Sequence, residues 1–300
     1  MAGPPGSVRA WIMAIRVPTL PASIVPVGAG TACAFYAGHV RILAALAALL
    51  GALLIQIGTN IANDLRDFER GADTSERIGP IRVTQAGLLR PQVVLLGSVL
   101  AFAAAALGPG LYLAYVGGWP IVAVGLLSIL AGLAYTSGPY PLAYHGLGDV
   151  FVVIFFGLVA VGGTVFVQVG FVPAICWPVG LAVGLLSTAL LVVNNLRDIP
   201  SDSRTGKRTL AVMIGRRATL IEYDLLLSGS LALVAWLWLL AAHSPWMLLP
   251  LAVLPLALWR MHTLGLAHNA PTFLTCLKGT AVFQLYYCLL CCAGLVLAAR

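Results

Sequence analysis

Along most of the chain, apolar residues come in runs about twenty long, the length of a helix that crosses a hydrocarbon bilayer. Polar residues are confined to the short stretches between them. The runs predict nine spanning helices: Thr19–Ala37, Ile42–Asn63, Gln92–Tyr112, Pro120–Tyr135, Val150–Gln168, Trp177–Asn194, Thr219–Ala241, Trp246–Met261 and Phe273–Ala298. Only Gly117-Gly118 separates the third from the fourth, and the eighth is short. Val8–Arg16 reads as a short helix lying in the membrane interface, with Trp11 at headgroup level. The first residues lack the ordered basic, apolar and small-residue parts of a cleavable leader, so the first apolar run is expected to be retained. The expected fold is all-α: a polytopic membrane protein with one transmembrane domain over residues 1–300.

Composition supports this pattern. The chain is 60% hydrophobic and 9% charged, whereas a soluble domain carries about 25% charge. The net charge of +7 therefore points to membrane orientation and not to nucleic acid. With the N-terminus cytoplasmic, the loops after the second, fourth, sixth and eighth helices face the cytoplasm. The loop after the second holds five arginines, and Arg197–Arg217 holds six Lys and Arg. Arg260 and Lys278 flank the loop after the eighth. The loops after the third, fifth and seventh have none, and the loop after the first has Arg41 alone. Six cysteines lie in or beside apolar runs and read as small buried hydrophobes, since no further pair or histidine completes a zinc set.

The polar residues concentrate where chemistry is expected. Asn60–Arg90 holds five of the ten acids, Asp64, Asp67, Glu69, Asp73 and Glu76, together with Arg66, Arg70, Arg77, Arg82 and Arg90. Asp64 and Asp67 share a helical face. Asn194-Asn195-Leu196-Arg197-Asp198 repeats Asn63-Asp64-Leu65-Arg66-Asp67 at four of five positions, 131 residues downstream (198 minus 67). Asp202 follows Asp198 on the same face, and Arg204, Lys207, Arg208, Arg216 and Arg217 form a second basic tract. Four predicted spans separate the two motifs, so both face one compartment. That is the parity of a parallel duplication, with pseudo-repeated motifs at 60–90 and 194–217, and it argues against an inverted-repeat transporter.

Paired carboxylates beside basic tracts suit Mg²⁺ and a diphosphate. Mg²⁺ takes one or two carboxylates, waters and substrate phosphates. Asp64 with Asp67, and Asp198 with Asp202, are candidate metal ligands, with Lys207 and the arginines neutralising the remaining charge. Acids kept at helix ends inside a bundle are costly without a use, whereas Glu69, Asp73 and Glu76 equally fit solvated ion pairs. A cavity within the membrane suggests that the diphosphate carries a lipid chain. Ionising an allylic diphosphate needs a dry site and is helped by aromatic faces, for which Tyr135, Tyr140 and Tyr144 are candidates. Asn60, Asn63, Asn194 and Asn195 either bridge helices or bind metal or phosphate-bound water. Asp149 is either a helix cap or a catalytic group. Glu222 and Asp224 read as answers to the dipole of the seventh helix, and His145 as structural. A cation-coupled transporter would also use intramembrane acids but needs no basic tracts beside them. The single-stretch signature of a lipid-headgroup transferase is not found.

These residues resemble the intramembrane aromatic prenyltransferases of the UbiA superfamily, over nearly the whole chain. Asn63-Asp64-Leu-Arg-Asp67 and Asn194-Asn195-Leu-Arg-Asp198-x-x-x-Asp202 look like its two aspartate-rich motifs, and Arg16-Val-Pro18-Thr19-Leu20-Pro21 like its opening. Three stretches resemble the branch that acts on 1,4-dihydroxy-2-naphthoate in menaquinone synthesis. They are Arg77-Ile-Gly-Pro-Ile-Arg82-Val-Thr-Gln85-Ala-Gly87, Tyr135-Thr-x-Gly-x-x-Pro141 with Gly146-Leu-Gly-Asp149, and Asn195–Asp202 with Gly206-Lys207-Arg-Thr209-Leu210. The position four beyond Asp67 is Gly71, where the hydroxybenzoate branch tends to have another Asp. The resemblance implies a nine-helix bundle with a cytoplasmic cap over the site, in the bacterial inner membrane. It implies Mg²⁺-dependent transfer from a polyprenyl diphosphate to an aromatic acid, with loss of its carboxylate to give demethylmenaquinone. Hydroxybenzoate and homogentisate are the alternative acceptors. By this resemblance Lys207, Arg77 and Arg82 contact diphosphate or acceptor carboxylate, Gln85 and Tyr135 line the acceptor pocket, and Tyr140, Asp149, Asn194, Asn195 and Arg197 complete the substrate-binding set. No obligate protein partner is expected.

Overall fold

The computed structural model describes residues 6–71 and 81–299, and in these it is helical, with one isolated bridge between His145 and Arg208. The helices are α1 (Val8–Ile15), α2 (Pro21–Tyr36), α3 (Ile42–Glu69), α4 (Pro91–Ala105), α5 (Leu111–Ala134), α6 (Gly148–Val152), α7 (Ala160–Val169), α8 (Cys176–Arg204), α9 (Leu210–Leu240), α10 (Leu254–Gly265) and α11 (Ala270–Ala298). Wider π-helical turns join α4 to α5 and α6 to α7, and the 3₁₀ stretch Pro245–Val253 leads into α10. Among the described residues, seven helical runs are long and apolar enough to cross a membrane. The count is eight if Val8–Thr19 and Pro21–Tyr36, bent by 46°, form one span. One of the seven, Pro91–Ala134, is 44 residues long. At about 1.5 Å per residue it is roughly twice the thickness of a bilayer core. It breaks at Gly118, whose φ of 66° and ψ of −162° lie outside the helical region. A residue with a side chain is strained there, and glycine is not.

Helix α8 is the centre. Of its apolar window 72% is buried, against 17% to 39% for the other runs. Leu186, Val183, Ala182, Ala189 and Val193 of α8 join Leu227 and Leu237 of α9 and Phe283, Tyr287 and Leu295 of α11 in the main apolar cluster. In hydrocarbon, apolar surface gains nothing by leaving lipid, so close packing has to come from small residues. Gly157 supplies it on the π-helical segment, facing Gly180 and Gly184 of α8. A Cβ on Gly157 would lie 2.4 Å from the Gly180 carbonyl oxygen and 2.7 Å from the Gly184 Cα.

Several expectations are corrected or extended. Trp11 has a packing role as well: its ring lies where a Cβ on Gly97 would be, against the cluster of Ile61, Leu65, Val83 and Leu89. A glycine on α4 gives the indole a flat seat, and α1 folds onto α3. The second and sixth predicted spans were expected to end at the asparagines, yet α3 runs on to Glu69 and α8 to Arg204, carrying Pro200 inside. Glu222 and Asp224 do not open a helix. Thr209 caps α9 by accepting the Val212 N–H, so the chain turns helical at Leu210, bends at Gly215 (φ 77°) and places both acids well inside. Arg260 and Lys278 lie in helices on either side of the loop, as the predicted spans have them. Arg260 lies in α10, 8% exposed, with its guanidinium filling the space that a side chain at Gly279 would need. Lys278 lies in α11.

Asn60 ties the entry of the chain to α3. Its Nδ2 donates to the Ile15 carbonyl at 2.9 Å and to Thr19 Oγ1 at 3.0 Å. This amide braces the α1–α2 corner. Replacing Asn60 by Ala strands a buried carbonyl and should cost about 1–3 kcal/mol. Thermal unfolding in detergent checks this, and an unchanged midpoint would remove the brace from the account.

Candidate active site

Extension of α3 and α8 past the asparagines sets the four motif aspartates on the last two turns of these helices, where all four are buried. Each is held differently. Asp64 Oδ1 accepts from the Thr84 N–H at 2.9 Å and the Thr84 hydroxyl at 2.6 Å, and Oδ2 accepts from the Val83 N–H at 3.1 Å. An ionised carboxylate offers about four lone-pair sites, so the segment beginning at Ile81 occupies most of Asp64. Asp67 Oδ2 accepts from Arg82 at 2.9 Å, and its Oδ1 accepts from the Tyr144 hydroxyl at 3.1 Å. Asp198 takes both Nε and Nη2 of Arg197, at 2.7 and 2.8 Å. The carbonyl of Asp202 accepts the Lys207 N–H at 2.9 Å, which folds the chain back after α8.

Tyr144 lies between the first motif and the basic tract that follows the second. Its hydroxyl donates to Asp67 of α3, while Lys207 Nζ, from the α8–α9 linker, lies 5.6 Å from its ring centre. The Arg70 guanidinium lies 5.2 Å from the same ring. The His145–Arg208 bridge ties the two linkers together beside it. Tyr135 sits on the other side of this meeting point. Burial above all, and then the charges of Asp149, Asp67 and Asp202, hold its hydroxyl proton well above the usual tyrosine range. Tyr135 therefore stays a hydrogen-bond donor. A cleft beside it is lined by Asp149, Asn195, Lys207, Thr209 and Leu210. The Tyr135 hydroxyl fits against Gly148, where a Cβ would come within 3.1 Å.

The remaining expectations fall out as follows. Asn63 Oδ1 accepts from the Thr136 hydroxyl at 2.7 Å, bridging α3 to the residues after α5, and the Asn194 amide bonds back to the Leu190 carbonyl at 3.1 Å. Asn195 reaches the cleft. Arg82 is buried, and Gln85 on the same segment is partly exposed. Tyr140 is not brought in. It is 58% exposed and stacks on His145 at 3.6 Å, because the Gly138-Pro139 turn carries it outward. His145, with a ring nitrogen 2.8 Å from the Pro141 carbonyl, is structural as expected. Asp149 is no cap: α6 starts without a side-chain cap bond, and Asp149 Oδ2 is buried without a hydrogen-bond partner. Arg77, Asp73 and Glu76 lie outside the described residues. Thr84, Thr136 and Thr209 were not singled out as site residues by the sequence reading. Their signal is weak, since a hydroxyl beside a motif looks like any surface threonine until its partner is known.

The donor set fits a hard cation. It is all oxygen, buried and anionic. Among the described residues no three His, Cys, Asp or Glu side chains converge, as suits an ion completed by substrate phosphate and water.

Comparisons with known proteins agree with this geometry. A family model described as the UbiA prenyltransferase family matches residues 23–272. The chain is 39% identical over 257 residues to a 1,4-dihydroxy-2-naphthoate octaprenyltransferase of Escherichia coli (strain K12), covering 83% of this chain and 82% of that protein. It is 39% identical over 252 residues to the protein of the same name from Mycobacterium tuberculosis, covering 84% and 85%. The Bacillus subtilis protein of that name is 30% identical over 94% of this chain and 91% of its own. In fold the chain is similar to a UbiA homolog from Archaeoglobus fulgidus bound to GPP and Mg²⁺, with a TM-score of 0.66 at 15% identity, covering 94% and 99% of the two chains. A digeranylgeranylglyceryl phosphate synthase structure superposes with a TM-score of 0.67 at 17% identity, covering 96% and 98%. With buried aspartates on the ends of two long helices inside an all-helical membrane bundle, this chain belongs to the UbiA prenyltransferase family and is an integral-membrane prenyltransferase.

Proposed function

We propose that the chain transfers a polyprenyl group from its diphosphate to 1,4-dihydroxy-2-naphthoate, with loss of the carboxylate, giving demethylmenaquinone. The observation that carries this reading is the meeting of Asp67 from the first motif with Arg70 and Lys207 around Tyr144, beside a Tyr135 that feels the charges of both Asp67 and Asp202, in a chain 39% identical to proteins named for that acceptor. The site faces the cytoplasm of a bacterial inner membrane beneath a cap formed by the polar linkers. The bundle crosses nine times, with Pro91–Ala134 crossing twice about Gly118.

Asp67 on one helix end and the Asp198/Asp202 pair on the other would each hold a Mg²⁺, with Asp64 contributing what its anchoring of Thr84 leaves free. Bound Mg²⁺ supplies charge neutralisation for the departing diphosphate. Arg82 and Lys207 take up charge that the metal leaves uncovered, and Arg77 is assigned the same work. Arg197, paired with Asp198, would be released to the diphosphate once a metal held that carboxylate. Tyr144 keeps its ring towards the allylic carbon, and the apolar bundle excludes water from the cation formed there. Gln85, Tyr135 and Asn195 line the acceptor side, with Asn63 and Asn194 fixing the helix ends behind it.

The direct test incubates purified protein with Mg²⁺, a polyprenyl diphosphate and a panel of aromatic acids, and identifies products by mass. The expected product is the prenylated naphthoquinol lacking its carboxylate. A prenylated hydroxybenzoate or homogentisate in its place would overturn the acceptor, and no prenylated product from any acid would overturn the reaction.

A further inference from the structure

We infer that Asp149 is the proton acceptor for the hydroxyl next to the reacting ring carbon, and that it returns the same proton once the carboxylate has left. The inference deepens the naphthoate reading and rests on it. Asp149 is 6% exposed, and its Oδ2 is buried without a hydrogen-bond partner. A carboxylate oxygen left in that state is costly unless a ligand supplies the missing donor. Asp149 is the one carboxylate among the residues lining the cleft with Tyr135, Asn195, Lys207 and Thr209. The fold holds this arrangement from behind, where the Thr188 hydroxyl of α8 donates to the Asp149 backbone carbonyl at 3.3 Å. Beside the cleft, the carboxylate oxygen Oδ2 is the one left without a partner.

The other polar groups facing Asp149 have different work. Tyr135 of the α5 end keeps its proton, so it is a hydrogen-bonding phenol and not a base. Lys207 of the α8–α9 linker is a cation beside the diphosphate side of the cleft. Glu222 of α9 is within electrostatic reach of Asp149 but does not line the cleft. Asp67 and Asp202 bear on Tyr135 from the metal side. An acceptor entering the cleft with a hydroxyl thus meets one carboxylate, that of Asp149, with a buried oxygen lacking a partner.

The chemistry balances. In 1,4-dihydroxy-2-naphthoate the 1-hydroxyl is next to the carbon that bears the carboxylate. The carbon–oxygen bond to diphosphate breaks to give the allylic cation and free diphosphate, Asp149 takes the hydroxyl proton, and the ring carbon uses the released electron density to form its bond to that cation. The ring now holds a ketone at position 1 and both prenyl and carboxylate on the adjacent carbon, a β-keto acid. Loss of CO₂ leaves the electron pair on the ketone oxygen, and Asp149 gives the proton back. The products are the prenylated quinol, CO₂ and diphosphate, with no net proton taken or released by the protein.

The test compares full-length wild type with D149N, both with Mg²⁺ and a polyprenyl diphosphate, using the dihydroxynaphthoate and its 1-O-methyl ether as acceptors. For the free naphthoate, D149N should be slower by about 100-fold or more, the usual scale for a positioned acid or base. For the methyl ether, which has no proton to give, wild type and D149N should turn over at rates within about threefold. A merely structural loss would slow both acceptors alike. The D149N rate with the free naphthoate should climb roughly tenfold per pH unit towards the ordinary phenol ionisation near pH 10, with a much flatter wild-type profile. Naphthoate binding without Mg²⁺, followed by fluorescence, should weaken about tenfold in D149N through loss of a charge-assisted hydrogen bond. Should D149N fail to purify folded, D149S takes its place. If wild type gives no prenylated naphthoate, the reaction reading fails and takes the proposal with it. If wild type turns over and D149N stays within threefold of it, or slows on both acceptors alike, the proposal alone fails.

Discussion

Asp67→Asn and Asp198→Asn are each expected to lower turnover by at least about 100- to 1,000-fold, the loss typical of removing one group that stabilises transition-state charge. Both changes keep shape and remove charge. The effect should appear in kcat and in the Mg²⁺ concentration needed for half-maximal rate, because a neutral amide is a weaker partner for a hard cation. Each also leaves a buried arginine short of its counter-ion: Arg82 in the first case, at 2.9 Å from Asp67, and Arg197 in the second, bonded twice to Asp198. Breaking such a pair from one side costs about 3–5 kcal/mol, so folding has to be measured beside activity. Pairing Asp198→Asn with Arg197→Met removes both charges and should recover much of the stability while leaving turnover lost. Near-normal activity in either single variant would take that aspartate out of the metal set.

Gly157→Val is expected to be the most damaging change distant from the polar residues. At this position even a Cβ meets backbone atoms of Gly180 and Gly184, and backbone cannot swing aside as a side-chain tip can. Overpacking a fitted interior costs about 1–3 kcal/mol and sometimes more. Here the α6–α7 run must lift away from α8, the central helix of the bundle. A lower thermal midpoint in detergent should come with reduced activity, because this contact fixes the height of Asp149 relative to Asn195. A variant of wild-type stability would show that the helices slide freely, and that the cleft is positioned by the linkers instead. Gly229→Val, where a Cβ meets only the tip of Leu185 at 3.3 Å, is the comparison and should cost less.

Tyr144 and Tyr140 show why part of the site had to await three dimensions. Both are aromatic, both lie in one short linker and both were equal candidates from their positions. Which one turns inward depends on the Gly138-Pro139 turn, the stack on His145 and the bridge from His145 to Arg208. Asp64 and Asp67 make the same point. Spacing placed them on one face, yet one anchors Val83 and Thr84 while the other faces Arg82 and Tyr144.

The order of apolar runs, written in residues that no aqueous domain would keep, determined the all-helical membrane class without help from the fold. The repeated acidic motif, with its basic tracts, determined the kind of chemistry, because charge inside a bilayer is too costly to be incidental. Tertiary structure alone decided how far α3 and α8 run, which side chains brace and which face the cleft, and that Asp149 is left with a vacant oxygen instead of a capping bond. The physical reason is that hydropathy acts locally and repeats along the chain, whereas a hydrogen-bond partner 20 or 77 residues away, as for Asp64 with Thr84 and Asp67 with Tyr144, exists only once the helices have packed.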